Sequence, residues 1–344
     1  ARAIDLYRRA LAGEPRLALA QAGLAEAYLQ EAIFHFGALD PRRAFDLAGQ
    51  ASRAALALDP SLASAHATLG HVAFLAERDF ERAERHYRRA VEQSPPRAQA
   101  HQRYAWFLLT LGHRAAARRQ IDLALDAEPL DVNANAAFGL FLHLVGENAA
   151  ARTHLEATHR RHPDSALPLL PLARLAESEG RYRESLRWYR VAEKILGAET
   201  ETRAGVAYAS ARLGRIADAR AVLAELEARA ASGEYVAQYH LAAVRLGLGE
   251  RRAALDGLLR ASEDRSLWLP WLRFDHRLAP LENEGAFREL LCSIGVDRPG
   301  SSSAPVAVAD QGVGAAFFTA SSTPSSKVRK LSTNIRASSR ACAS

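Results

Sequence analysis

The sequence predicts an all-α chain, a solenoid of antiparallel helix pairs repeated along most of its length. Three observations predict it. Gly112, Gly146, Gly180 and Gly214 fall 34 residues apart, and Gly249 follows after 35. Pro95, Pro129 and Pro163 keep the same interval of 34, with Pro60 35 residues before them. Between these marks alanine and leucine dominate and β-branched residues are sparse, a composition that favours helix over sheet. Two punctuation series sharing one period are the sign of a repeat array.

Each mark has a physical role. A glycine closes the first helix of a unit, where the turn needs a positive φ that other residues resist. A proline follows the second helix, since its ring stops continuation and pushes the preceding residue out of the α region. Between them, small residues recur where helices approach closely: Gly70, Ala105, Gly139, Ala173, Ala207 and Ala242 on first helices, Ala83, Ala117, Ala151 and Ala219 on second ones. Large residues sit beside them, among them Leu69, Tyr104, Phe138 and Leu172, then Tyr87, Ile121, Leu155 and Tyr189.

This order resembles the tetratricopeptide-repeat (TPR) consensus, with LGHRAAARRQIDLALDAEP (111–129) and EGRYRESLRWYRVAEKILG (179–197) as examples. The resemblance covers about residues 1–262 and implies a right-handed superhelix. Residues 1–15 read as the second helix of a repeat whose first helix is missing, so the chain is expected to be the C-terminal part of something longer. Residues 16–262 hold about seven repeats, the first enlarged by a loop near 33–43. Pro168 and Pro171 fall inside an expected first helix and predict a late start or a kink there.

Past Ala261 the period stops. Residues 263–297 are rich in tryptophan, leucine and phenylalanine and read as a cap over the open face of the last repeat. Residues 298–344 hold 11 serines, six basic residues and one acid, and read as a disordered basic tail. The tail is either an arm for an acidic partner or membrane surface, or an unselected terminus. It carries nearly all of the excess charge: the other 297 residues hold 39 basic and 38 acidic side chains. A body so close to neutral argues against nucleic-acid binding through the repeats.

The cap also suggests relatives. Its Trp-Leu pairs, Asp275, Leu278 and the Phe287, Leu290, Leu291 run are similar to the end of repeat regions in a bacterial signalling group. There the repeats follow a winged-helix transcriptional regulator, a class III adenylate cyclase or a protein kinase domain. LDPSLASAHATLGHVAFL (58–75) looks like the same group, whereas His276 and Ala279 depart from it. That resemblance implies the regulatory or sensor half of such a protein, with the effector domain upstream of Ala1.

No motif for a phosphate loop, dinucleotide fold, zinc protease or serine nucleophile occurs. His154, His159 and His162 cluster, but only the last two have metal-ligand spacing, and a basic helix end explains them as well. Cys292 and Cys342 lack metal-ligand spacing, and Cys292 reads as a buried structural thiol. No membrane span, metal, cofactor or enzymatic role is expected, and cytoplasm is the default setting. In TPR arrays, residues offset from the large–small pair face a concave groove. The resemblance places His71, Phe74, Gln102, Trp106, Asn133, His143, Arg174, Glu177, Tyr208 and Arg212 there, as the lining of a site for a protein or peptide partner. Chaperone-tail clamps of this family use lysines in the groove, and the body's single lysine, Lys194, lies on a second helix.

Overall fold

Every described segment with regular structure is helical, and each helix packs antiparallel on its neighbours in sequence. The computed structural model describes residues 2–34, 40–93, 97–263, 266 and 268–295. Pro95 and the 298–344 tail lie outside the described residues, as does most of the expected loop near 33–43.

The array opens with α1 (Arg2–Gly13), α2 (Ala18–Phe34) and α3 (Pro41–Leu58). The extra length of this unit is partly helical: α2 and α3 run 17 and 18 residues, against 13 and 14 in a typical later pair. The run LAEAYLQEAIF contains no glycine or proline, so nothing stops α2 before Phe34. Asp40 then caps α3, accepting from the Arg42 and Arg43 amides at 2.9 and 3.3 Å, with Pro41 in the first turn.

The regular pairs follow: α4 (Ala63–Val72) with α5 (Phe80–Val91), α6 (Ala98–Thr110) with α7 (Arg114–Ala127), and α8 (Val132–Leu144) with α9 (Asn148–Arg161). Next come α10 (Leu169–Ser178) with α11 (Tyr182–Leu196), α12 (Thr200–Arg212) with α13 (Ile216–Ala231), and α14 (Gln238–Gly247) with α15 (Arg251–Glu263). Within pairs the small residues permit contact. A Cβ placed on Gly139 would lie 2.4 Å from Leu155 Cδ2, and one on Gly70 would lie 2.9 Å from Tyr87 Cδ1.

Between the helices of a pair, Gly112, Gly146, Gly180, Gly214 and Gly249 have φ between +72° and +90°. The α4 unit departs from this. Its first helix continues as a π-helical turn, Ala73–Glu77, and Arg78 occupies the left-handed turn with φ 55°. The π turn absorbs the extra residue of the 35-residue interval.

Pro168 stands just before α10, which begins three residues later in its unit than α6, α8 and α12 do in theirs. Pro171 then falls in the first turn, where no intrahelical donor is needed. After α15 come two 3₁₀ segments, Leu269–Phe274 and His276–Leu281, and a short α16 (Gly285–Ser293). Leu269, Leu272, Leu278, Leu281, Phe287, Leu290 and Ile294 pack with Tyr239, Ala242, Leu246, Ala254 and Leu258 in one buried cluster. The 266–295 segment therefore covers the end of the array. Cys292, expected as a buried thiol, is half-buried.

Candidate functional site

The first helices of the pairs, α4, α6, α8, α10, α12 and α14, contact one another in order and form one face of the array, here called the inner face. The covering segment does more than close the last repeat there. Residues 268–281, here called the strap, run back across the inner face to the α4 unit. Trp271 meets Trp106 edge-on at 5.6 Å and Phe74 at 6.4 Å, between ring centroids. Trp268, Trp271 and Phe274 pack on the large N-terminal cluster that includes Phe74, Phe107 and Phe141. The α4 unit also touches α15: Arg78 Nη2 donates to the Ser262 carbonyl at 3.4 Å.

Five of the ten predicted inner-face residues meet the strap. Phe74 and Trp106 receive Trp271; the Arg174 guanidinium lies 5.4 Å from the Trp268 ring. Arg277 sits 5.7 Å from the Tyr208 ring, and Glu177 Oε2 is 3.9 Å from His276 Nε2. His143 faces within its own pair, its Nδ1 3.0 Å from Asn148 Oδ1. His71 is directed elsewhere: it is buried against Tyr87, with Nδ1 2.8 Å from the hydroxyl. Burial, with Arg103 adding to it, brings the His71 imidazole down to about 3.

Gln102, Asn133 and Arg212 remain accessible. Asn133 Nδ2 donates to Gln102 Oε1 at 2.9 Å, beside an open cleft of about 310 Å³ that Gln99 and Asp131 also line. Next to it, Glu26 accepts from Arg103, Gln99 and Gln30 at 2.6, 2.9 and 2.6 Å. Burial opposes ionisation of Glu26, but Arg103 and these hydrogen bonds hold it at about 2. Arg212 lies over the Tyr182 ring at the other edge of the array. Thus Phe74, Trp106, Glu177 and Tyr208, predicted as open groove residues, are buried in this structure, each with a strap residue beside it.

Sequence reasoning missed the group beneath the strap. Asp275 forms a bidentate pair with Arg277, Nε to Oδ1 at 2.9 Å and Nη2 to Oδ2 at 2.7 Å, with both side chains almost fully buried. The Tyr239 hydroxyl donates to Asp275 Oδ2 at 2.5 Å and accepts from Arg277 Nη2 at 3.2 Å. Burial pushes the Asp275 carboxyl up, but Arg277, with help from His276 and Arg174, holds it well below the usual range. Glu177 goes the other way: burial raises it to about 7, Asp275 adds to the shift, and Arg277 and Arg174 oppose it. Burial lowers His276 to about 4 against the pull of Asp275. The sequence signal for this group was the apolar setting of the Asp-His-Arg triplet at 275–277.

Nothing in this arrangement resembles a nucleophile with its base. His154 and His159 stack edge-on with Phe138 and Trp188, at 5.0 and 5.6 Å. Among the described residues no group of three or more His, Cys, Asp or Glu is placed to hold a metal ion, and no helix is long and apolar enough to cross a membrane.

The tetratricopeptide-repeat family model matches residues 74–137. No curated protein matches the chain in sequence. Among solved structures, the human IFIT1 dimer with PPP-AAAA is similar at 16% identity and a TM-score of 0.55, over 77% of this chain and 68% of that one. A tetratricopeptide repeat protein from Parabacteroides merdae reaches 17% and 0.50, over 78% of this chain and 98% of its own. Yeast Tom70 reaches 13% and 0.50, over 84% of this chain and 61% of its own. At these identities the likeness is one of fold. The chain therefore has an all-α tetratricopeptide-repeat fold, with the family match confined to residues 74–137.

Proposed function

We propose that the chain is a protein-interaction scaffold whose inner face holds an extended or irregular segment of a partner protein. The observation that carries this reading is the strap itself. The inner face accommodates a stretch of non-α-helical chain through aromatic contacts, cation–π contacts and a hydroxyl–carboxylate bond. These are the interactions by which grooves of stacked helices hold peptides. The Gln102–Asn133 cleft adds an open polar rim. No reaction is part of the proposal, and a cytoplasmic setting is assigned to it.

A photo-crosslinking amino acid at Asn133 tests it, with exposed Leu123 on the second helix α7 as the control position. The expected outcome is a discrete protein adduct from Asn133 and none from Leu123. Identical products from both positions, or none from Asn133, would remove the inner face as the binding site.

A second reading makes the array the regulatory half of a bacterial signalling protein, with a DNA-binding or nucleotide-cyclising domain before Ala1. It is favoured by one observation: the segment that carries the resemblance to that group is the one lying on the inner face. The coding sequence upstream of Ala1 decides it, and an unrelated reading frame there would end it.

A further inference from the structure

The contact between strap and repeats divides cleanly. Leu269, Leu272, Leu278 and Leu281 bind the strap to α14 and α15, within one apolar cluster. Trp271 and Phe274 reach out of that cluster into the aromatic seat formed around Phe74, Trp106, Phe107 and Phe141. The strap therefore belongs to the C-terminal repeat and visits the N-terminal ones.

Charge follows the same division. Asp275 is neutralised by Arg277 inside the strap, at 2.7 Å. Arg174 is neutralised by Glu201 inside the repeats, at 2.6 Å. The charged approach that does span the contact, His276 to Glu177, is 3.9 Å, beyond hydrogen-bond length. Parting the two surfaces thus leaves both short ion pairs whole, so the heavy penalty of stranding a buried charge is avoided.

Polar atoms at the contact point the same way. Glu177 Oε2, Trp268 Nε1 and His276 Nε2 are buried without a hydrogen-bond partner. Each carries a desolvation cost while the contact is closed and recovers a partner in water when it opens. A permanent core satisfies most such atoms. This one is held by aromatic packing and by the long Arg78 to Ser262 bond.

We propose that the strap is a displaceable internal ligand, and that a partner segment presenting a tryptophan or phenylalanine takes the place of Trp271 between Phe74 and Trp106. This rests on the inner-face reading above and adds to it the chemistry of the partner and a closed state that competes with it. In the closed state the seat is filled, so apparent affinity is reduced by the fraction of molecules that are open. Aromatic side chains suit such an anchor, since they bury a large area with few rotatable bonds.

The test uses the full chain and a labelled synthetic peptide of the sequence of residues 266–278, SLWLPWLRFDHRL. Fluorescence anisotropy is read for wild type, Trp271→Ala, and Trp271→Ala with Trp106→Ala. Emptying the seat should tighten peptide binding by about tenfold or more, as the internal competitor is lost. Damaging the seat in the double variant should abolish the gain. Equal binding by wild type and a folded Trp271→Ala protein overturns the proposal. Should Trp271→Ala not fold, Trp271→Phe keeps a ring in the seat. A smaller gain supports the exchange, and no gain overturns it. An Asn133 adduct without any peptide gain would leave the scaffold reading standing and remove only the displaceable strap.

Discussion

The inner face has two sectors of opposite character, built on the same helices. Toward the ends of the first helices it is apolar, aromatic and covered: Phe74, Trp106, Glu177 and Tyr208 lie under the strap. Toward their starts it is polar and open, with Gln102 and Asn133 bonded to each other beside the cleft. A repeat fixes where a side chain points but not what meets it. The covered sector differs from the open one because a single non-repeating segment lies on it. Stability should therefore reside in the first sector and tolerance in the second.

The largest expected effect tests that division directly. Trp106→Ala removes a buried indole that contacts both Trp271 and Phe141, at a cost of about 3 to 5 kcal/mol. Asn133→Ala, one repeat further on but in the open sector, should change stability by less than about 0.5 kcal/mol. Urea unfolding of both variants checks the contrast. Similar losses would mean that the strap contributes little to holding the array.

The next effect lies at the boundary and depends on pH. The ordinary value for a glutamate is 4.5, and Glu177 stands at about 7 in the fold. A carboxyl raised in this way contributes stability that is complete below about pH 4.5 and lost as pH rises through about 7. The loss at pH 8 is on the order of 3 kcal/mol. Glu177→Gln keeps an acceptor for Ser185 and removes the charge, so the variant should gain over wild type progressively across that window. The groups facing Glu177 are Ser185, Tyr189, Arg174, Asp275, His276 and Arg277. Buried His71 and His276 act in the opposite sense, losing stability as pH falls below their ordinary 6.5, so the variant must be compared with wild type at each pH. A flat difference between the two proteins would place Glu177 in contact with water.

Much of this was legible in the sequence, and the limit is instructive. The glycine and proline series marked the helix ends, because stopping a helix is a local matter decided by one or two residues. The late start of α10 followed from Pro168 and Pro171 for the same reason. The burial of Phe74 and Trp106 did not follow from their offset in the repeat. It depends on Trp271, which lies far away in the chain within a segment that has no period to read. In the enlarged first unit α2 runs on to Phe34, since no glycine or proline stops it, and most of the loop expected near 33–43 lies outside the described residues. The Asp275–Arg277–Tyr239 group was invisible for a simpler reason: two residues of the strap meet a third on α14 only after the chain has folded back.

The smallest expected effect concerns the one turn that breaks the glycine series. Arg78 takes the left-handed conformation that glycines occupy in the later units, and a non-glycine residue pays on the order of 1 kcal/mol for it. Arg78→Gly removes that strain and also removes the bond to Ser262, which at 3.4 Å belongs at the weak end of roughly 0.5 to 1.5 kcal/mol. The two terms oppose each other, so the melting temperature should move by no more than a few degrees. Closure should be more sensitive than stability. With the bond gone, amides of the π turn at 73–77 should exchange faster with solvent, while those in the middle of α12 keep their protection. Equal acceleration in both places would mean that Arg78 supports the whole array. No acceleration in either would leave Trp271, seated between Phe74 and Trp106, as the residue that holds the C-terminal segment to the α4 and α6 units.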